Sequence, residues 1–379
     1  MSESFGTTSA GDTGVPLARN FSSLCCPCGP DLSRRGFLAG MAAAGAATIL
    51  PGCASSQGSG MGAPTVIGNR DRIDTHHHFF APSLVEALKS HKAAQPPMLA
   101  WTLTKTLDDM DRAGTRTSIL SVTTPQVSFV GNDRELARRL ARESNEYAAK
   151  LGGDHKGRFG SFAMLPMGNV DDALKEIEYA LDVLKADGIG VLTSYGDKWL
   201  GHPMFAPIMD ELNRRKAILY THPTVANCCR GLIADTPPTV VEFGTDTTRT
   251  IVNVVFSGTA ARCPDLRFIF SHAGGTLPFL TERLQKMPVL NKSLEARVPN
   301  GVMHELQRFY YDTAWSANGY VLPSLLHLVP KEQVLFGSDY PYRTSEDNIK
   351  GLIAYGFSEH DLKVITHDNA ARLMPRWRA

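Results

Sequence analysis

Ile73-Asp74-Thr75-His76-His77-His78 opens on a β-branched apolar residue and ends in three consecutive histidines. In an extended chain residues i and i+2 share a face, so His76 and His78 project together while His77 points the other way. Three further segments have the same build, an apolar run that delivers a polar residue at its C-terminal end. They are Leu219-Tyr220-Thr221-His222-Pro223, Ile269-Phe270-Ser271-His272-Ala273 and Leu335-Phe336-Gly337-Ser338-Asp339. Two imidazoles from one strand, one from a second and a carboxylate from a third make a donor set for a divalent ion.

Over residues 70–379 short apolar strands alternate with longer amphipathic segments, the pattern of βα units around a parallel sheet. Eight strands are expected, over 72–79, 115–122, 158–165, 189–195, 217–222, 267–272, 308–313 and 333–339. Eight parallel strands close a (β/α)8 TIM barrel, which builds its active site at their C-terminal ends. Helices are expected over 133–151, after a cap-like Asn132, and over 171–186, where Leu174, Ile177, Leu181 and Leu184 recur at helical spacing. Two connections are long, 80–114 and 224–265, the second opening as loop over 225–238 before a helix over 240–261. Long loops at the catalytic end of a barrel are where selectivity resides.

With 379 residues, 43% hydrophobic and 20% charged, the chain can bury the core of one large domain. The formal charge of +1 gives no electrostatic footprint for nucleic acid or an anionic membrane. The N-terminus has its own pattern: Ser33-Arg34-Arg35-Gly36-Phe37-Leu38 leads into an apolar run over 37–50. That run is shorter than the roughly 20 residues a spanning helix needs. Residues 1–53 are therefore expected to be a twin-arginine export signal to the bacterial periplasm. Leu50-Pro51-Gly52-Cys53 resembles a lipoprotein cleavage box, which would place a lipid anchor at Cys53, and 54–69 would be a linker. Of the seven cysteines, Cys228, Cys229 and Cys263 fall in the globular part, and that odd number implies no disulfide framework.

His76, His78, His222 and Asp339 are the expected ligands of one divalent ion, with Zn best suited to the set and Mn, Fe or Co tolerated. His272 precedes Ala273-Gly274-Gly275, whose glycines let a backbone approach a ligand closely. It is read either as a fifth ligand or, preferably, as the general acid/base beside a metal-bound water, because histidine titrates near neutrality. His77 is expected to pack behind the ligands. His91, His155, His202, His304, His327, His360 and His367 stand in loop-like or helical contexts and are expected to be non-catalytic.

In this order the segments resemble the amidohydrolase superfamily, in the branch that contains aminocarboxymuconate semialdehyde decarboxylase. The resemblance spans residues 72–375 and includes Tyr311-Asp312-Thr313, Tyr340-Pro341 and Asn369-Ala370 beside the segments above. Asp187-Gly188-Ile189, Leu200-Gly201-His202-Pro203, Ser257-Gly258-Thr259 and Ser316-Ala317-Asn318 look most like the 6-methylsalicylate decarboxylase subgroup. The resemblance implies one metal held by His76, His78, His222 and Asp339, with His272 activating the bound water. The lysine with which two-metal relatives bridge their ions is missing from Gly190-Val191-Leu192-Thr193-Ser194-Tyr195. A family arginine that reaches the neighbouring subunit's site corresponds to Arg283, which implies substrate binding by that residue and a homodimer. A second family arginine has no counterpart, since 101–110 offers only Lys105.

The activity so implied is non-oxidative decarboxylation of an aromatic or unsaturated carboxylic acid, with His272 and Asp339 as catalytic residues. A lactone or ester hydrolase of the same family is the alternative reading. A non-catalytic exported barrel that binds metal or ligand is the third.

Overall fold

The computed structural model describes residues 71–378. The expected export signal, the lipid anchor at Cys53 and the linker lie outside the described residues. Eight strands form the main sheet: β1 (Arg72–His78), β2 (Thr115–Ser121), β3 (Phe159–Met164), β4 (Gly188–Leu192), β5 (Ile218–His222), β6 (Arg267–Phe270), β7 (Tyr310–Asp312) and β8 (Val334–Leu335). Each pairs in parallel with the next in sequence. The ring closes between β1 and the segment after β8, where Thr75 N–H donates to Phe336 O (2.9 Å), Asp339 N–H to His76 O (2.8 Å) and His78 N–H to Tyr340 O (2.8 Å). The expected (β/α)8 barrel is the observed architecture.

Helices α1 (Leu103–Ala113), α2 (Arg134–Asp154), α3 (Val170–Glu178), α4 (Ala206–Arg214), α5 (Glu242–Phe256), α6 (Leu277–Leu290), α7 (Val321–Leu328) and α8 (Ser345–Tyr355) alternate with the strands. Helix α2 is capped by Asp133, whose carboxylate accepts from Leu136 N–H at 2.9 Å, and not by Asn132 as expected. Helix α3 starts at the Asn169 cap (Asp172 N–H, 3.1 Å), and the helix expected to reach residue 186 widens into a π turn over Tyr179–Val183. The expected helix over 240–261 divides into α5 and a short helix, Thr259–Arg262, because Gly258 takes a φ of +81° between them.

Three strands end sooner than periodicity implies, and each ending shapes the site. Strand β4 stops at Leu192, and Ser194–Tyr195 turns out to pair with Lys198–Trp199 in a small antiparallel hairpin. Strand β6 stops at Phe270 because His272–Gly274 coils into a 3-10 turn. Strand β8 keeps only Val334–Leu335 in its ladder, and the rest of the segment runs beside β1. Below the site, Ile73, Ile119, Phe162, Ile218, Ile269 and Leu335 interdigitate across the barrel interior and are all but fully buried. Each such side chain contributes about 1.5–3 kcal/mol by burial, so this floor is both a stable support and a dry one.

Candidate metal and active site

Every side chain of the site leaves from the C-terminal end of a strand. The register of β1 against β2 slips between Asp74 and His77, a bulge that re-aims the histidines toward the barrel axis. As a result His76 Nε2 and His78 Nε2 converge to 3.2 Å. Asp339 reaches both, with Oδ1 at 2.9 Å from His78 Nε2 and 3.2 Å from His76 Nε2. His222, at the end of β5, places its ring centroid 5.2 Å from that of His76 and 4.8 Å from that of His78. All four expected ligands are therefore brought together.

His272 joins them. Donor atoms of His76, His222, His272 and Asp339 all lie within 4.8 Å of one another, and His78 is linked through Asp339. Distance does not separate ligand from acid/base for His272, and its bonding is compatible with both. His272 Nε2 is buried without a hydrogen-bond partner among the described residues, 3.7 Å from Asp339 Oδ2. An unsatisfied ring nitrogen beside a carboxylate is open to a metal ion or to a substrate proton. Its backbone is special too: His272, Ala273 and Asp339 all have positive φ, at +55°, +55° and +67°. Left-handed non-glycine residues persist only where the surroundings impose them, and they gather at functional sites.

Sequence reasoning passed over the groups that hold these residues in place. Asp312 accepts from or pairs with His76 Nδ1 at 2.8 Å through Oδ2, while its Oδ1 accepts the N–H groups of His272 and Ala314, both at 3.0 Å. Asp74 bonds the N–H groups of His76 and Ser338, both at 3.0 Å, and His77 Nδ1 at 3.0 Å. His77 thus packs behind the ligands, as expected, and stacks on Tyr340. Trp315 donates its indole N–H to Asp339 Oδ2 at 2.6 Å. The signals available for Asp312 were its place at the C-terminal end of a strand and the Tyr311-Asp312-Thr313 segment of the resemblance, neither of which names its partner.

The glycines after His272 also serve a contact within the fold. Gly275 has a φ of +67°, and a Cβ there would meet Gly244 O at 1.9 Å, so its close approach is to helix α5. That approach draws Phe243 and Gly244 to the cavity wall.

Electrostatics divides the cluster into one charged pair and neutral donors. Burial pulls the His76 imidazole down, but Asp312 and Asp339 together outweigh it and hold it up at about 10. Burial, and then the neighbouring histidines, push His78 below and His222 well below the ordinary histidine value. Burial acts against ionisation of Asp339, yet the His76 charge, the His272 ring beside it and the contacts from His76 and His78 keep it well below the ordinary carboxylate range. Neutral imidazoles and an ionised carboxylate are the forms that ligate; His78, His222 and Asp339 are already in those forms, and His76 would release its proton on binding an ion. The residues present thus fit a divalent ion, and each ligating histidine has an orienting partner: Asp312 for His76, Ser121 O (3.2 Å) for His78 and Pro223 O (2.8 Å) for His222.

The cluster lies at one end of a cavity of about 700 Å³. Pro96, Pro97, Val240, Phe243 and Tyr342 supply much of its wall, and among the described residues neither lysine nor arginine lines it. The cavity draws on both long connections, since Gln95, Pro96 and Pro97 follow β1 while Thr239 and Val240 follow β5. Lys105 is exposed and donates to Ala100 O, away from the cavity. Arg283 lies on an exposed face of α6 and is not brought into the cavity of its own chain. Cys228, Cys229 and Cys263 are free thiols, in keeping with the expected lack of a disulfide framework.

A family model described as amidohydrolase matches residues 73–376. The protein named decarboxylase yanB of Aspergillus niger is 38% identical over 327 residues, covering 81% of this chain and 88% of that protein. The 6-methylsalicylic acid decarboxylase of Penicillium expansum is 34% identical, with 80% and 96% covered. Among solved structures, a dihydroxybenzoic acid decarboxylase from Polaromonas sp. JS666, with bound manganese and the inhibitor 2-nitroresorcinol, superposes with a TM-score of 0.71 over 81% of this chain and 98% of that one. At 22% identity that likeness is one of fold. A family match that begins within β1 and runs past α8, together with five polar residues converging at the strand ends, leads to one assignment: the chain belongs to the amidohydrolase family.

Proposed function

We propose that this protein catalyses the metal-dependent, non-oxidative decarboxylation of a small aromatic acid, most simply a 2-hydroxybenzoate. The observation that carries the reading is Asp339, which joins the histidine cluster on one side and the unpaired His272 Nε2 on the other, at the end of an apolar-walled cavity. The named activities of the two relatives above support it. One divalent ion, zinc by preference, would be held by His76, His78, His222 and Asp339 and would act as a Lewis acid toward the substrate carboxylate and its neighbouring oxygen.

The chain's own residues do the rest. The apolar walls strip water from the aromatic ring and place its carboxyl-bearing carbon over the polar end. His272 Nε2 delivers a proton to that carbon, directly or by way of Asp339 Oδ2, 3.7 Å from it, which takes the proton up and passes it on. The carbon–carboxyl bond then breaks, CO2 leaves with its bonding electrons returned to the ring, and the ring carbon keeps the proton.

Because no lysine or arginine lines the cavity among the described residues, Arg283 is read as serving the site of a second copy in a homodimer. Its helix α6 also exposes Phe279, Val289 and Leu290, the kind of apolar surface that a partner covers. Export by the twin-arginine route, with lipid attachment at Cys53, belongs to the same proposal. It is supported by Arg34-Arg35 ahead of the apolar run, and cell fractionation with the mass of the mature N-terminus tests it.

The decisive experiment is a panel of hydroxybenzoates and lactones offered to protein whose metal content has been determined by elemental analysis. CO2 release from a 2-hydroxybenzoate is the expected result. Acid release from a lactone with no CO2 from any benzoate would replace the decarboxylase by a hydrolase.

A further inference from the structure

Trp315 occupies a turn position at which its side chain is unexpected. The turn follows β7 and is closed by Ser316 N–H donating to Thr313 O at 2.9 Å. Trp315 has a φ of +56°, a conformation that turns normally give to glycine or asparagine. The surroundings impose it: Asn348, fully buried, donates to Thr313 O at 2.7 Å and bonds the Thr313 hydroxyl at 3.1 Å, and Ala314 N–H is tied to Asp312 Oδ1 at 3.0 Å. A bulky residue kept in a strained position beside a site suggests a role there.

Both parts of the indole address the site. Its N–H donates to Asp339 Oδ2 at 2.6 Å, so that Oδ1 is the oxygen turned to His78 and His76. Its ring lines the cavity and is 53% exposed, an open aromatic face in the same cavity as Phe243 and Pro96. The Arg343 guanidinium carbon lies 5.4 Å from the ring centroid, close enough to brace the ring.

We propose that Trp315 is a positioning residue for Asp339 and, through its ring, the surface on which a planar aromatic substrate rests. The second half rests on the decarboxylase reading; the first stands on the ligand cluster alone. Two substitutions separate the halves. Trp315→Phe keeps an aromatic face and deletes the donor, whereas Trp315→Leu removes both at moderate bulk.

Titration with Mn2+ reads the first half without turnover. Loss of an orienting partner lowers metal affinity about 10-fold or more, and this is expected of both variants. Salicylate binding to Mn2+-loaded protein, by calorimetry, reads the second. Trp315→Phe should stay within about twofold of the parent, while Trp315→Leu should bind about 5-fold more weakly. Parental Mn2+ affinity in Trp315→Phe, with an unchanged melting temperature, overturns the positioning role. Parental salicylate affinity in Trp315→Leu, or no salicylate binding by the parent, overturns the aromatic surface. Should the parent decarboxylate nothing in the panel, the proposed function falls while both titrations still decide on Trp315.

Discussion

His76 Nδ1 lies 2.8 Å from Asp312 Oδ2, and the same carboxylate holds the backbone of His272 through its other oxygen at 3.0 Å. One buried side chain on β7 thus sets the ring orientation of the proposed ligand on β1 and the turn that carries the proposed proton donor after β6. Asp312→Asn keeps the shape and removes the charge. It should lower Mn2+ affinity about 10- to 100-fold and depress kcat alongside, with the melting temperature little changed. Titration against a competing chelator measures it, and parental affinity would reduce Asp312 to a packing role.

His222 and His272 are both in the cluster, and their substitutions should fail differently. His222→Ala removes a ligand, so both bound metal and turnover are lost. His272→Gln leaves the four ligands and is expected to retain metal while kcat falls about 10²- to 10⁴-fold, the range of general acid/base catalysis. Elemental analysis alongside initial rates discriminates them. A His272→Gln protein that purifies without metal would make His272 a fifth ligand.

The barrel was legible because eight apolar segments of strand length each end in punctuation that the backbone obeys. The ligands were legible because three of those segments end in histidine and a fourth in aspartate. What the sequence concealed is of another kind. Asp312 and Trp315 act through long-range bonds, to His76 across 236 positions and to Asp339 across 24, and a linear pattern carries no trace of such pairings. The shortened β6 and β8 were missed for a related reason. Positive φ at His272 and Asp339 is imposed by tertiary bonds, so apolar periodicity continued past the point where the strands stop. Both long connections, where selectivity was expected, contribute to the cavity wall, but through Pro96, Pro97 and Val240, whose roles depend on how loops fold over the barrel mouth.

Acid sensitivity should have a component outside the site. On α4 the hydrogen bonds from Arg214, opposed by burial and aided by Arg215, hold Glu211 down at about 2 against an ordinary value of 4.5. A carboxylate lowered on folding stabilises above its unfolded value and loses that contribution as pH falls through its folded value. With 24% of the side chain exposed, screening keeps the gain to about 1 kcal/mol. Glu211→Gln should therefore be less stable in urea at pH 7, and the difference should fade between pH 4.5 and 2. A gap that persists unchanged at pH 2 would assign it to packing.

The final prediction concerns the second copy. If Arg283 completes the neighbouring site, Arg283→Ala and His272→Gln are each inactive as homodimers but complementary when mixed. A heterodimer then has one site with His272 from one chain and Arg283 from the other, both intact, and one site lacking both. Random reassortment places half of the chains in heterodimers, each with one working site in two, so activity should return to about a quarter of the parental value. The recovery must depend on subunit exchange, rising with incubation after mixing and vanishing if the dimers are cross-linked first. Two inactive proteins that stay inactive together, in a sample shown to exchange subunits, would place Arg283 on the outside of the enzyme and leave the substrate carboxylate to the metal ligands alone.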